Sequence, residues 1–295
     1  CFEQGPVLLL IHGSPPGGSP GVWGRSLCIN GTTHTGAMFD YILRAKEHGW
    51  GVIITNHNGK KPIFPHEHIH KVFQAMASQK VLIVAHSYGG SLATGLVKML
   101  SPVERQRIVG VALTDGMTWI PDINDQTQER IIDERVPDGD ELDMCAQEDA
   151  DCMILEIMGK NDPEEPEDSD AMVELRQQVY ERCRARLSRR ERRLVRLAKR
   201  TPGAFRPADD TTRRFYTGVT VNFVASKKPM GKIIRKPKLP GEATLVSSGH
   251  PNHPATTHAA TEGVFTFLQA RLRDTPVDQI VSTMTFIIEF KEHHK

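Results

Sequence analysis

The α/β class, a mostly parallel sheet covered by helices on both faces, is the fold this sequence predicts, and three observations predict it. Apolar runs without polar alternation recur in PVLLLIHG, GVIITNHN, VLIVAHS and IVGVALTDG. Amphipathic helical patterns separate these runs. The 295 residues, 39% hydrophobic and 25% charged, suffice for a sizeable core. Strands buried on both faces read as continuous apolar runs, and parallel strands need crossovers of helix length between them.

PVLLLIHG is the first strand, ending in glycine. GAMFDYILRAKEHGW is a helix with Phe39, Ile42 and Leu43 on one face and Gly49 as its stop. GVIITNHN is the second strand, and EHIHKVFQAMASQ places Ile69, Val72, Phe73 and Met76 at helical spacing. VLIVAHS is the third strand, GGSLATGLVKML the next helix and IVGVALTDG the fourth strand. From Pro121 to Thr212 no strand pattern appears. Residues 138–170 are acidic, and 176–200 are basic and helix-prone with Leu187, Leu194 and Leu197 as an apolar stripe. The expected organisation is a core of residues 1–120 and 213–295 interrupted by a charged insertion, 121–212, helical and partly disordered, acting as lid or tether. Sheet pattern then returns. VTVNFVASKKP reads as strand or helix, EATLVSSGH as a strand, and THAATEGVFTFLQARL as a closing helix with Val264, Phe265 and Leu268 inward. VSTMTFIIEF is read as an extra strand.

Net charge is +1, so no global field argues for nucleic acid or membrane. No apolar run approaches the length of a membrane-spanning helix, and VLLLI is too short for a signal-peptide core. The start at Cys1, almost directly on a strand, reads as a fragment edge, from which a targeting segment is missing if the natural chain has one. Five cysteines without a C-x-x-C pair suggest reduced thiols and an intracellular setting.

Chemistry concentrates at Ser87. It follows an apolar strand and precedes Gly89, Gly90 and a helix, the strand–turn–helix setting that gives a G-x-S-x-G motif its meaning, with Ala85 in place of the first glycine. That setting makes the fold α/β-hydrolase-like. Such a turn lifts the serine hydroxyl above the carboxyl edge of the sheet, where the N–H of Tyr88 and the helix dipole favour an oxyanion. The second oxyanion donor is expected from the glycine-rich loop after the first strand, at Gly13 and Ser14. A general base must follow the last core strand, and SSGHPNHPATTH offers His250, His253 and His258. Asp115 ends IVGVALTDG, and the chain order Ser87, Asp115, histidine is the hydrolase order. The plain pattern of strand followed by Gly-His favours His250. The contrasting reading is that Ser87 only fills an inherited tight turn, because fold does not fix function.

HGSPPGG, VWGRSLCIN, HGWGVIITNHN, PHEHIHKVF, VLIVAHSYGG and VALTDGMTW, with NFVASKKPMG and SSGHPNHPATTH, occur in this order. As an ordered set they resemble the Arb-two (Argonaute-binding) domain family, over residues 6–120 and 215–268. That family includes animal cotranscriptional regulators, a component of a fission-yeast Argonaute complex, and a domain appended to some fungal histone deacetylases. The resemblance implies an α/β-hydrolase-like fold and a nuclear role in small-RNA silencing, heterochromatin or RNA processing, with Argonaute or chromatin-associated proteins as partners and residence in nucleus or cytoplasm. It carries Ser87 over as the elbow serine and Asp115 as the acid. By spacing to VFTFL and the H-x-x-T pattern it favours His253 over His250. The segment 121–212 and the absence of sequence ahead of the first strand depart from the family pattern.

Other features have plainer readings. His66 and His70 share a helix face at a spacing that can bind metal, but no further ligand stands at a fixed offset, so no metal and no cofactor is expected. The basic run from Arg189 to Arg200, with KKPMGKIIRKPK as a second cluster, suits weak nucleic-acid contact or nuclear import, or a solvated helix face paired with the acidic stretch before it. Trp23 and Trp119 flank the presumed site loops, as pocket lining or as packing. The two functional classes that follow are a nuclear silencing factor on a hydrolase-like scaffold and an active serine hydrolase on ester or acyl groups.

Overall fold

The computed structural model describes residues 5–13, 20–23, 25–57, 65–116, 120, 174, 177, 178, 181 and 208–292. The chain divides into two compact units, Cys1–Asn124 with Gly203–Lys295, and Asp125–Pro202. In the second, Glu174, Gln177, Gln178 and Glu181 are helical and exposed. Of the charged segment 121–212 that sequence reading assigned to a lid or tether, all else but residues 208–212 lies outside the described residues.

The first unit is built on a seven-stranded sheet. Its strands are β1 (Val7–Ile11), β2 (Gly51–Ile54), β3 (Val81–His86), β4 (Ile108–Thr114), β5 (Thr220–Val224), β6 (Ile233–Arg235) and β7 (Thr244–Ser247). They lie in the order β2-β1-β3-β4-β5-β7-β6, with every pair parallel except β6 against β7. Every residue of β1 and β3 is buried, as continuous apolar runs require of central parallel strands. One face packs Leu8, Leu10, Leu82, Val84 and Ala112 against Tyr41, Phe265 and Leu268. The other packs Leu9, Ile11, Ile83, Val111 and Leu113 against Ile69, Phe73, Leu92 and Leu96. The alternation of odd and even strand positions between these two cores is the two-residue period of a pleated strand.

Helices α1 (Arg25–Asn30), α2 (Thr33–Gly36) and α3 (Phe39–Glu47) connect β1 to β2, and α4 (Pro65–Ala75) leads to β3. Helices α5 (Tyr88–Met99) and α6 (Pro102–Arg105) join β3 to β4. Helix α7 (Asp210–Val219) precedes β5, and α8 (Thr256–Ala259), α9 (Thr261–Leu272) and α10 (Val277–Glu292) close the described chain. Ser101 and Asp209 cap α6 and α7 through their side chains.

The structure corrects several expectations. VSTMTFIIEF is part of α10, because Val277, Ile280, Val281 and Met284 recur at helical spacing and are all buried. On α3 the buried face is Met38, Tyr41 and Ala45, while Phe39 and Leu43 are about half exposed. TVNFV is the strand β5, and IIR is the edge strand β6, which sequence reading did not find. Helix α7 begins at Asp210, inside the stretch assigned to the insertion, since Thr212 and Arg213 are already buried against the core.

The order in which the chain adds strands reverses at β1, with β2 on one side and β3 on the other. The crevice at the carboxyl ends of β1 and β3 is therefore the switch point where open α/β sheets bind ligands. The order, the parallel pairing and the tight turn leaving β3 make this an α/β-hydrolase fold.

Candidate active site

Strand register brings the site together. His86 pairs with Thr114 across β3 and β4, so the residues that follow, Ser87 and Asp115, emerge side by side at the carboxyl edge. Both adopt positive φ, 52° and 53°, a conformation non-glycine residues rarely take. The Ser87 N–H donates to the Thr114 carbonyl and the Asp115 N–H to that of Phe223, which pins both turns to the sheet. Close packing of α5 over β1 requires Gly89: a Cβ there would stand 2.4 Å from the Ile11 oxygen. Asn222 in β5 holds the turn after Asp115 from both sides. Its Oδ1 accepts the Gly116 N–H at 3.3 Å and its Nδ2 donates to the Gly116 carbonyl at 2.8 Å.

His253 reaches this edge from beyond β7, on a short 3-10 turn, His253–Ala255, that leads into α8. Thr256 Oγ1 donates to the His253 carbonyl at 2.8 Å. The Thr257 hydroxyl meets that of Thr114 at 2.7 Å, and Tyr41 donates to the Thr257 carbonyl at 2.7 Å. These bonds tie α8 to the end of β4 and to α3, and so fix the imidazole between its neighbours.

His253 Nε2 lies 3.1 Å from Ser87 Oγ, and its Nδ1 lies 2.6 Å from Asp115 Oδ2. A carboxylate only accepts, so Nδ1 carries the proton and Nε2 presents a lone pair to the serine hydroxyl. About half of the His253 side chain is exposed, so solvent and small molecules can reach it. Under its ring lies His86, stacked at 5.0 Å between centroids. Burial first, and then the neighbouring His253, push the His86 pKa down to about 4. His86 is therefore neutral at ordinary pH and donates from Nδ1 to the Thr114 carbonyl at 2.9 Å. A neutral platform adds no charge against an imidazolium forming at His253.

The sequence-predicted residues are thus placed as follows. Ser87, Asp115 and His253 form one hydrogen-bonded chain. His250 does not join it; its ring accepts the Asn252 N–H at 3.1 Å and its carbonyl accepts the Ser226 N–H at 2.9 Å. Gly13 faces the elbow, since a Cβ built on it would meet the Ser87 Cβ at 3.4 Å. Tyr88 opens α5, whose amino end turns the positive end of its dipole toward the site. Ser14, Trp119 and the basic run from Arg189 to Arg200 lie outside the described residues. Trp23 is buried, edge-on to Tyr41 and His86, and so packs beneath the site. His66 is buried facing the backbone of Ser91, and burial lowers its pKa to about 4. Among the described residues no group of three histidine, cysteine, aspartate or glutamate side chains is placed to hold a metal ion. Nor is any described helix long and apolar enough to cross a membrane. Sequence reasoning missed His86 and Asn222. The signal for both was position alone, one before the elbow serine and one on the strand beside the acid.

No family model matches the chain. Among curated proteins, a FAM172 family protein homolog of Caenorhabditis elegans is 35% identical over 122 residues, which cover 37% of this chain and 38% of that protein. The match thus spans well under half of the relative's length. Among solved structures, a haloalkane dehalogenase from Bradyrhizobium elkani is 13% identical over 92% of both chains, with a TM-score of 0.42. A 2-hydroxy-6-oxo-6-phenylhexa-2,4-dienoate hydrolase from Rhodococcus is 14% identical over 91% of both, with a TM-score of 0.40. The fold itself is carried by the sheet order and the elbow.

Proposed function

We propose that this chain is a serine hydrolase acting on an ester or acyl group. The observation that carries the reading is the single imidazole of His253 bridging Ser87 Oγ and Asp115 Oδ2. In the first step Ser87 Oγ attacks the substrate carbonyl carbon while His253 Nε2 takes the hydroxyl proton. Asp115 holds Nδ1–H and stabilises the imidazolium. The carbonyl electrons move onto oxygen, which the amides near Gly13 and Tyr88 receive. The intermediate collapses, the leaving group departs with the proton from His253, and an acyl-serine remains. Water then repeats the sequence with the same base and frees the acid and Ser87.

Turnover of nitrophenyl esters, from acetate to long acyl chains, tests this in wild type beside Ser87→Ala. Hydrolysis that vanishes in the variant supports the reading. Hydrolysis that the substitution leaves unchanged, or none with any ester, removes it.

The ordered segments resembling the Arb-two family, together with the FAM172 similarity, favour a second reading on the same scaffold: a nuclear factor in small-RNA-linked silencing or RNA processing. Its partners would be Argonaute or chromatin-associated proteins. Nucleic acid would contact the basic segment Arg189 to Arg200 weakly. Immunoblotting for Argonaute after affinity capture from nuclear extract tests it. Failure of the folded protein to retain any Argonaute counts against that partner.

A further inference from the structure

The mechanism above leaves two buried histidines unused. His12 follows β1 and His57 follows β2, and the parallel register of these strands sets their ends together. Their rings stack, with centroids 4.2 Å apart. Both face one acceptor: His12 Nδ1 lies 2.9 Å and His57 Nε2 3.3 Å from the carbonyl oxygen of Gly13. A carbonyl only accepts, so a ring nitrogen bonded to it must carry the proton. For His57 that leaves Nδ1 as the lone pair, 3.0 Å from the Thr55 hydroxyl, whose single proton also faces the Leu10 carbonyl at 3.2 Å.

A carbonyl oxygen has two lone pairs, so both rings can donate to that of Gly13 at once, one from each strand end. Both rings are held neutral, chiefly by burial, which lowers the His57 pKa to about 3. Placing two imidazoles in a dry site is costly, and the core pattern of β1 and β2 does not require it.

We propose that His57 is a positioning residue that, with His12, fixes the Gly13 carbonyl and thereby the turn packed against the Ser87 elbow. Gly13 lies against the Ser87 Cβ, so an error in this turn is passed directly to the elbow.

The proposal rests on the hydrolase reading, and the experiment separates the two. Ester turnover is measured in the full chain for wild type, His57→Phe and His57→Gln. Phenylalanine keeps the stack and removes the hydrogen bond, while glutamine restores an N–H donor. The expected result is a kcat lowered about tenfold or more in His57→Phe with KM nearly unchanged, and substantial recovery in His57→Gln. Wild-type kcat in His57→Phe, or equal loss in both variants, overturns the proposal. If His57→Phe does not fold, Thr55→Val serves, since it removes the hydroxyl that contacts His57 Nδ1. A smaller fall in kcat is expected there, and no fall in the folded variant overturns the proposal. If wild type turns over no ester, the hydrolase reading itself fails and this role falls with it.

Discussion

Gly89→Ala should destabilise the protein although alanine is the better helix former. A Cβ at Gly89 would lie 2.4 Å from the Ile11 oxygen, 2.8 Å from the His12 oxygen and 3.0 Å from the Ile11 carbonyl carbon. Ordinary contact begins near 3.4 Å, so α5 and β1 must part by roughly 1 Å. The opposing atoms are backbone of a central strand and cannot rotate away. Overpacking of this kind costs about 3 kcal/mol, against a helix gain of about 1 kcal/mol for alanine over glycine. The net expectation is a loss of about 2 kcal/mol. Gly218, exposed in α7 with nothing within 4 Å of a built Cβ, is the internal control. There the same substitution should gain about 0.5 kcal/mol. Urea unfolding of both variants beside wild type reads the two signs. Because α5 begins directly after Ser87, Gly89→Ala should also slow ester turnover. A Gly89→Ala protein as stable as wild type would refute the claim that this close approach sets the elbow.

Three further outcomes follow from the same geometry. Asp115→Asn preserves shape but removes the acceptor that fixes the Nδ1–H tautomer, so kcat should fall by about three to four orders of magnitude, and a fall under tenfold would exclude Asp115 as the orienting acid. Asn222→Ala strips both bonds from Gly116 and should cost about 2 kcal/mol in urea unfolding, with slowed turnover; unchanged stability would show that the turn after Asp115 holds itself. Stability should fall with acid, because burial lowers the pKa of His57 to about 3 and of His66 and His86 to about 4. In the unfolded chain these groups take up protons near pH 6.5, so their contribution is complete above that and is lost as pH drops toward about 4. Each should remove about 1.4 kcal/mol per pH unit in that window, and an unfolding midpoint equal at about pH 7 and about pH 5 would contradict it.

The elements most legible in the sequence are those buried on both faces. VLLLI and VLIVAH have no polar alternation to hide them, and the glycines after Ser87 mark the elbow as a turn before any geometry is known. Asp115 was legible because it ends the next strand. The choice between His250 and His253 was not, since both follow β7. Sheet order decides it: β7 is two strands from β4, about 10 Å away. His250 is still engaged in the turn off β7, whereas His253 stands on the 3-10 turn that leads back across the sheet edge. The end of the chain was misread because a run such as TFIIEF suits strand or buried helix equally by period. Only the four buried positions from Val277 to Met284 separate them. Edge strand β6 has three residues and no face of its own, so it exists through its pairing with β7. The His12 and His57 pair is invisible in one dimension, since 44 positions separate His57 from its acceptor Gly13.

If Ser87 is an activated nucleophile, a fluorophosphonate probe labels it. Intact mass spectrometry of wild type beside Ser87→Ala reads the adduct whatever the natural substrate. One adduct is expected on wild type, mapped to Ser87, and none on the variant. Folded wild-type protein that takes up no probe, or a Ser87→Ala variant that labels equally, would contradict an activated Ser87.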